Sequence, residues 1–289
     1  MNNVGLLHET LEICRRGFYL KDGKRVDLKL TREQMEKAEV FLPGDLLLLE
    51  PGLESMASHP LHKCSFDCRN MDSFSLARER QKELDDRKTG NEERVLVLNL
   101  ANPVSPGGGV RHGARAQEED LCRKSSLLLS LEGPQASAYY RYNRGIRSNM
   151  GSDALMIQPF VEILRDERGN LLEDTVIVSV LTCAAPILLY GMGGMRQAEY
   201  EDLMYGRIRG MLKAAAFRGY HVLVLGAFGC GAFANDARVV SDLFHRALQE
   251  LDFGGLRTDD LFDRVDFAVL DRSYDQYNFR QFARNFSRK

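Results

Sequence analysis

Residues 95–109 read VLVLNLANPVSPGGG. Val95–Leu100 is a near-continuous aliphatic run, the pattern of a strand covered on both faces, and it empties into a glycine-rich loop. Three more runs share this character: Val176–Leu181 (VIVSVL), His221–Leu225 (HVLVL) and Val265–Leu270 (VDFAVL). Helical patterns lie between and after them. Asn235 or Asp236 can cap a helix whose Val239, Val240, Leu243, Phe244, Ala247, Leu248 and Leu251 recur at helical spacing. Arg207–Arg218 predicts another helix, stopped by Gly219. Tyr277–Phe286 predicts a third, with Phe279, Phe282 and Phe286 on one side. Strands alternating with helices imply a three-layer α/β/α sandwich around a mostly parallel, mixed sheet.

Residues 61–289 read as the main domain and residues 1–60 as an N-terminal extension, a hairpin and short helix packed on the core. Asp22-Gly23 within FYLKDGKRVDL is a hairpin signal, and Thr31-Arg-Glu-Gln34 is a capping box that opens a short helix. ELDDRKTGNEER (83–94) reads as a solvated helix end and loop. With 289 residues, 44% hydrophobic and 28% charged, the chain is an ordinary globular one of one large domain or two modest ones. No apolar stretch approaches the ~20 residues that span a bilayer, and MNNVGLLHETLEICRRG lacks the layout of a signal peptide. A monomer without a membrane partner is expected, cytoplasmic or, in a eukaryotic source, nuclear. A formal charge of -2 excludes a broad basic surface for nucleic acid, but not an anionic ligand held by backbone N–H groups. The six scattered cysteines read as reduced thiols.

Two of the four strands run into glycine-rich loops at their carboxyl ends. The first is Asn99-Leu-Ala-Asn102-Pro-Val-Ser-Pro-Gly107-Gly108-Gly109; the second is Gly226-Ala-Phe-Gly229-Cys-Gly231-Ala-Phe233-Ala-Asn235-Asp236. A further strand ends in Thr182-Cys-Ala-Ala-Pro186, with Gly191-Met-Gly-Gly194 nearby. In a parallel sheet these loops share one edge, where open α/β folds bind ligands. Glycine lets the backbone approach a phosphate closely, and the helix after Asn235 adds its positive end. A phosphate compound, most simply a nucleotide, is therefore the expected ligand. Common nucleotide and hydrolase motifs are missing: there is no Walker loop and no G-x-S-x-G elbow, and GAFGCG reverses the dinucleotide fingerprint.

The first loop leads to Gln117-Glu118-Glu119-Asp120 at the start of a helical pattern. Acids in a first turn are explained by dipole compensation, worth about 0.3–1 kcal/mol. Beside an anion-binding loop, however, a carboxylate is costly unless used, and a neighbouring diphosphate would favour the protonated form that a general acid needs.

GGG-x7-QEE followed by x-L-C-R resembles the signature of the microbial-type poly(ADP-ribose) glycohydrolases, which are catalytic macrodomains. VLVLNLANPVSPGGG is similar to that family's strand and loop, GAFGCGAFAND to its diphosphate loop and FDRVDFAVLD to its last strand. Weaker similarity reaches the N-terminal hairpin and NMDSFSLA. The resemblance implies a macrodomain-like fold and hydrolysis of ribose–ribose O-glycosidic bonds in poly(ADP-ribose), releasing ADP-ribose. It implies Glu119 as the catalytic acid and Glu118, with Gln117 beside it, at the reacting ribose. Gly107, Gly108, Gly109 and Val110 would line that ribose and the diphosphate, with Asn99 and Asn102 close to the sugar. Ala227, Phe228, Gly229, Cys230, Gly231, Ala232 and Phe233 would wrap the diphosphate, Phe233 lying against the distal ribose. Asp72 is the implied adenine contact. Where the family would carry Asn after Ala185-Pro186, this chain has Ile187.

Adjacent side chains on a helix diverge by roughly a hundred degrees, so Glu118 and Glu119 cannot flank a sugar as an ordinary glycosidase pair. One proton donor, Glu119, is assigned. No metal or cofactor is expected. His59, His62, Cys64 and Cys68 (HPLHKCSFDC) invite a zinc reading, yet Cys64, Phe66 and Cys68 alternate as one face of a strand. Cys122 and Cys230 read as small-residue packing. Tyr139, Tyr140 and Tyr142 with Arg141 and Arg144 fit either adenine or polymer contact, or core-and-rim packing. His112 and Arg115 fit either phosphate contact or simple exposure. Two other functions fit the same loops: a hydrolase of single ADP-ribose groups, and a non-catalytic ADP-ribose reader.

Overall fold

The computed structural model describes residues 2–57, 63–87 and 93–287. Strands in chain order are β1 (Phe18–Lys21), β2 (Lys24–Asp27), β3 (Glu39–Phe41), β4 (Ser65–Arg69), β5 (Leu96–Leu100), β6 (Leu155–Arg165), β7 (Leu171–Cys183), β8 (Val222–Leu225) and β9 (Arg264–Ala268). Helices are α1 (Asn3–Arg16), α2 (Arg32–Met35), α3 (Pro43–Leu47), α4 (Ser73–Asp86), α5 (Gln117–Lys124), α6 (Leu127–Leu131), α7 (Ser137–Arg144), α8 (Gln197–Phe217), α9 (Ala237–Gln249), α10 (Thr258–Leu261) and α11 (Tyr277–Phe286). A seven-stranded sheet runs β3-β6-β7-β5-β8-β9-β4. β7, β5, β8, β9 and β4 are mutually parallel, while β3 and β6 pair antiparallel at one edge.

The aliphatic runs explain the layers. Along β5, Leu96 and Leu98 enter a core shared with α8, α9 and α11, whereas Val97 joins α4, α5, α6 and α7 on the opposite face. Each face needs its own cover, which is why these strands are apolar without alternation. The four predicted strands are present, and the expected mostly parallel α/β/α sandwich is the observed fold.

β6 and α8 differ from the sequence reading, and so does the N-terminal segment, where α1, β3 and α3 are present besides the expected hairpin and short helix. β6 escapes a search for aliphatic runs because Gln158, Pro159 and Glu162 interrupt it, and its pairing with β7 slips between Gln158 and Val161. α8 begins ten residues before the predicted Arg207, at Gln197. Its polar first turns hide the apolar period, and Glu199 accepts the Arg196 N–H at 2.9 Å to open it.

Several segments within residues 2–57 contact or extend the sheet. Asp22 and Gly23 both take positive φ at the β1–β2 turn, and Thr31 and Gln34 exchange the bonds of a capping box. β3 supplies the antiparallel edge strand. Buried Glu162 of β6 accepts the N–H groups of Lys29 and Leu30 at 2.8 and 3.0 Å and the Thr175 hydroxyl at 2.5 Å. α1 lies on α5: the Thr10 hydroxyl donates to the Arg123 carbonyl at 2.7 Å, and Asn3 Nδ2 to the Gly113 carbonyl at 3.0 Å. The segment that joins GGG to QEE is thus held from behind.

No helix among the described residues is long and apolar enough to cross a membrane. Among those residues no group of three or more His, Cys, Asp or Glu is placed to hold a metal. Cys64 and Cys68 are buried at β4, while His59 and His62 lie outside the described residues. Within the 83–94 charge run, α4 ends at Asp86, and residues 88–92 lie outside the described residues.

Candidate active site

α5 opens at Ala116, a residue with no side chain to cap it, so its first-turn N–H groups receive no side-chain cap. None of its three acids accepts a first-turn N–H of the helix. Asp120 pairs with Lys124 at 2.6 Å. Glu118 and Glu119, only 2% and 7% exposed, reach instead into the loop that follows β5. Glu118 Oε2 accepts the Asn102 N–H at 2.7 Å, and its Oε1 accepts Asn99 Nδ2 at 3.3 Å. Glu119 Oε1 accepts the Gly109 N–H at 2.9 Å. Glu119 Oε2 is buried with no partner among the described residues.

The glycines make this approach possible. Gly107 and Gly108 have φ of +66° and +55°, the left-handed region that a side chain disfavours. A Cβ on Gly108 would stand 2.4 Å from Glu119 Oε1 and 3.2 Å from Glu118 Oε2. The two carboxyls therefore converge on one glycine, although their Cβ atoms leave the helix in different directions. The expectation that GGG offers its N–H groups to a phosphate changes accordingly. Gly108 donates to the Ser105 carbonyl, Gly109 to Glu119 and Val110 to the Gly107 carbonyl. In the first loop the anions that are bound are the protein's own carboxylates.

Burial pushes Glu118 up to about 8, against the pull of the Asn102 and Asn99 N–H donors and with a further push from the neighbouring Glu119 charge. Gln117 splices the helix to the strand: its Oε1 accepts the Leu100 N–H at 2.9 Å, and its Nε2 donates to the Leu98 carbonyl and Ser73 hydroxyl. Asn102 Oδ1 accepts the N–H groups of Val104 and Ser105, both at 2.9 Å, and Arg144 clamps the Val104 carbonyl.

The loop after β8 is pinned by Asn235. Its Nδ2 donates to the carbonyls of Pro186 and Gly229 at 2.8 and 3.0 Å, and its Oδ1 accepts the buried Tyr200 hydroxyl at 2.8 Å. Asp236, not Asn235, caps α9 by accepting the Arg238 N–H at 2.7 Å. Gly229, at φ +75°, lies so close to Ala185 and Asn235 that a Cβ would meet each at 2.5 Å. The N–H groups of Gly231, Ala232 and Phe233 donate to no other group among the described residues. Three consecutive N–H donors left without a partner shortly before a helix N-terminus are the kind of backbone groups that can take an anion. Asn149 fastens the preceding loop by donating to the Ile187 and Gly191 carbonyls, and the Leu188 N–H donates to the Phe233 carbonyl.

Both loops and α5 border one open cleft, whose lining also takes in α4 and the start of β7. Of the residues singled out in the sequence, Asp72, Asn102, Gln117, Glu118, Glu119, Ala227, Phe228, Gly229, Gly231, Ala232 and Phe233 line it. Asn99, Gly107, Val110 and Cys230 are buried, with Val110 packed in the core against α5 and Cys230 in the core on the other face. Gly108 and Gly109 are half-buried. Asp72 caps α4, accepting the Ser75 N–H at 3.2 Å, with Lys124 3.7 Å away. Tyr139 and Tyr140 pack edge to face in the core, at 5.1 Å between centroids. Arg115 borders the cleft and His112 is exposed. Asn149, Gln158 and Tyr200 had no sequence signal, because their partners are distant in the chain.

The sequence matches the family of microbial-type PARG catalytic domains over residues 8–166. No curated protein matches the chain. Among solved structures, it is similar to the poly(ADP-ribose) glycohydrolase of Thermomonospora curvata, with TM-score 0.84, 32% identity and coverage of 98% of this chain and 99% of that one. The same enzyme bound to the inhibitor ADP-HPD matches with TM-score 0.82 at 31% identity over the same shares of the two chains. The Deinococcus radiodurans glycohydrolase in complex with ADP-ribose matches with TM-score 0.73 at 32% identity, over 88% of this chain and 96% of that one. With a family match over more than half its length and this likeness across nearly all of it, the chain belongs to the microbial-type poly(ADP-ribose) glycohydrolases.

Proposed function

We propose that the protein hydrolyses ribose–ribose O-glycosidic bonds of poly(ADP-ribose) and releases ADP-ribose, with Glu119 first as general acid and then as general base. One observation carries this reading: the Glu119 carboxyl is fixed through one oxygen by the Gly109 N–H, while its other oxygen has no partner among the described residues, in a residue that lines the cleft. A fixed carboxyl with a free oxygen is what proton transfer at a defined place requires.

In the first step Glu119 gives its proton to the departing ribose oxygen as the bond from that oxygen to the anomeric carbon breaks. Positive charge builds on that carbon. The substrate's own diphosphate, held on the N–H groups of Gly231–Phe233, offsets it. A water then adds to the anomeric carbon and passes its proton to the Glu119 carboxylate, which restores the acid. Glu118 receives the reacting ribose, oriented by Asn99 and Asn102, and Gln117 holds the helix that carries both acids. Gly107–Gly109 and Val110 form the wall behind that sugar. Ala227–Phe233 wrap the diphosphate, with Phe233 toward the distal ribose and Asp72 at the adenine end of the cleft. The ADP-HPD and ADP-ribose complexes of the two bacterial relatives support a ligand of this class. Monomeric action in the cytoplasm completes the proposal, with ADP-ribosylated macromolecules as partners.

The test is to incubate the protein separately with poly(ADP-ribose) and with a mono-ADP-ribosylated protein and to resolve the products. ADP-ribose released from polymer supports the proposal. Release from the mono-modified substrate alone would make the protein a hydrolase of single groups, and binding without release would make it a reader.

A further inference from the structure

Behind Glu118 a chain of polar side chains crosses three strands. Asn99 of β5, Thr182 of β7 and Gln158 of β6 are each fully buried. Asn99 and Thr182 are register partners, and Met156, two residues before Gln158, opposes Thr182 on the other side. Asn99 Nδ2 donates both to Glu118 Oε1 at 3.3 Å and to Thr182 Oγ1 at 3.2 Å. The Thr182 hydroxyl donates onward to Gln158 Oε1 at 2.8 Å.

Aliphatic residues surround this trio along the same strands: Val97, Leu98, Ile157, Val180 and Leu181 are all buried. Polar groups at such positions are unfavourable unless fully bonded, and these are not. Asn99 Oδ1 and Gln158 Nε2 have no partner among the described residues. The chain thus keeps an open amide atom at each end while it contacts one carboxyl, that of Glu118.

A hydroxyl both donates and accepts, and an amide turned about its last bond exchanges donor for acceptor without moving its heavy-atom frame. The chain can therefore run in two directions. As observed, the Asn99 N–H faces Glu118 and favours its carboxylate. In reverse, Gln158 Nε2 donates to Thr182, Thr182 donates to Asn99 Oδ1, and that oxygen accepts the proton of a Glu118 carboxylic acid.

We infer that Thr182 and Gln158 are positioning residues that set which end of the Asn99 amide meets Glu118, and so whether Glu118 meets the reacting ribose as acceptor or as donor. The inference rests on the proposed place of Glu118 at that ribose. Besides Asn99, Glu118 faces Glu119 and Cys122 of its own helix, the Asn102 amide, and Tyr139 and Tyr140 of α7. Burial, which pushes Glu118 up to about 8, brings both of its protonation states within reach at neutral pH.

The test reads Glu118 directly in the ligand-free protein, by carbon NMR of side-chain-labelled glutamate, with the resonance assigned by its loss in Glu118→Gln. In Thr182→Val and in Gln158→Met the midpoint of Glu118 should rise by about 0.4–1 pH unit, the worth of one oriented neutral hydrogen bond. Thr182→Ser, which keeps the hydroxyl, should restore the wild-type midpoint, and the pH limb of kcat/KM, which reports the free enzyme, should move with the NMR midpoint. Unchanged midpoints in Thr182→Val and Gln158→Met, a serine variant that behaves like valine, or a kinetic limb that stays while the midpoint moves would each overturn the inference. If Thr182→Val fails to fold, Gln158→Met and Thr182→Ser decide. A wild-type protein that leaves polymer intact would remove the proposed function without altering this titration, so the two failures are distinguishable.

Discussion

Glu119 and Gly109, ten residues apart, are joined by a 2.9 Å hydrogen bond from the glycine N–H to Oε1, and this bond ties the start of a helix to the loop that precedes it. It uses one oxygen of the carboxyl, and Oε2 has no partner among the described residues. The geometry depends on the loop lying flat against α5, which positive φ at Gly107 and Gly108 allows.

Gly108→Ala should therefore be a defect of catalysis more than of folding. The added methyl would stand 2.4 Å from Glu119 Oε1, so the carboxyl must move. Misplacement of a catalytic group by an ångström costs about a hundredfold in rate. The expected result is a fall of about that size in kcat on polymer, with ADP-ribose affinity by calorimetry much less affected.

The reverse split is expected at the other loop. Asn235→Ala removes the bonds to Pro186, Gly229 and Tyr200 that shape residues 226–236, and it touches neither Glu119 nor the loop that holds it. ADP-ribose should bind about tenfold more weakly, equivalent to about 1.4 kcal/mol. Titration calorimetry on both variants checks the pair of predictions, and an Asn235→Ala protein with wild-type affinity would contradict the role given to this loop.

Stability should carry a signature of Glu118. Its folded-state value of about 8 lies above the ordinary 4.5, so between these limits the unfolded chain has lost a proton that the folded protein keeps. The contribution to stability is complete below 4.5, declines as pH rises toward 8 and is flat beyond. The slope approaches about 1.4 kcal/mol per pH unit at most. Glu118→Gln should lack this decline, so denaturation midpoints of the two proteins, measured in parallel from acid to alkaline pH, should diverge only within that window.

Thiol chemistry should prove irrelevant to turnover. All six cysteines are buried and free. Burial holds Cys122, beside the two acids, far above the ordinary thiol value and pushes Cys14, Cys68 and Cys183 up to about 12. Since the thiolate is the reactive form, native protein treated with iodoacetamide at neutral pH should keep its activity, with little label found by mass spectrometry.

Much of this architecture is legible in the sequence because β5, β8 and β9 are buried on both faces and say so in their composition. β6 is not, since the residues that interrupt its apolar pattern are those that join other segments: Glu162 holds the Lys29–Leu30 backbone, and Gln158 joins Thr182. At the site, GGG and QEE are visible as motifs, but their relation is not. Helical geometry alone sends Glu118 and Glu119 apart, and only the fold of the glycine loop brings both carboxyls to Gly108. The parts played by Asn235, Tyr200 and Asn149 depend on contacts between distant segments and leave no local pattern.

Proton transfer by the free oxygen of Glu119 is decided by Glu119→Gln in single-turnover cleavage of poly(ADP-ribose), paired with ADP-ribose binding. The substitution preserves size and the bond to Gly109 while removing the transferable proton. A loss of about 10²–10⁴-fold in the cleavage rate with near-wild-type binding is predicted. Cleavage at the wild-type rate would contradict the account.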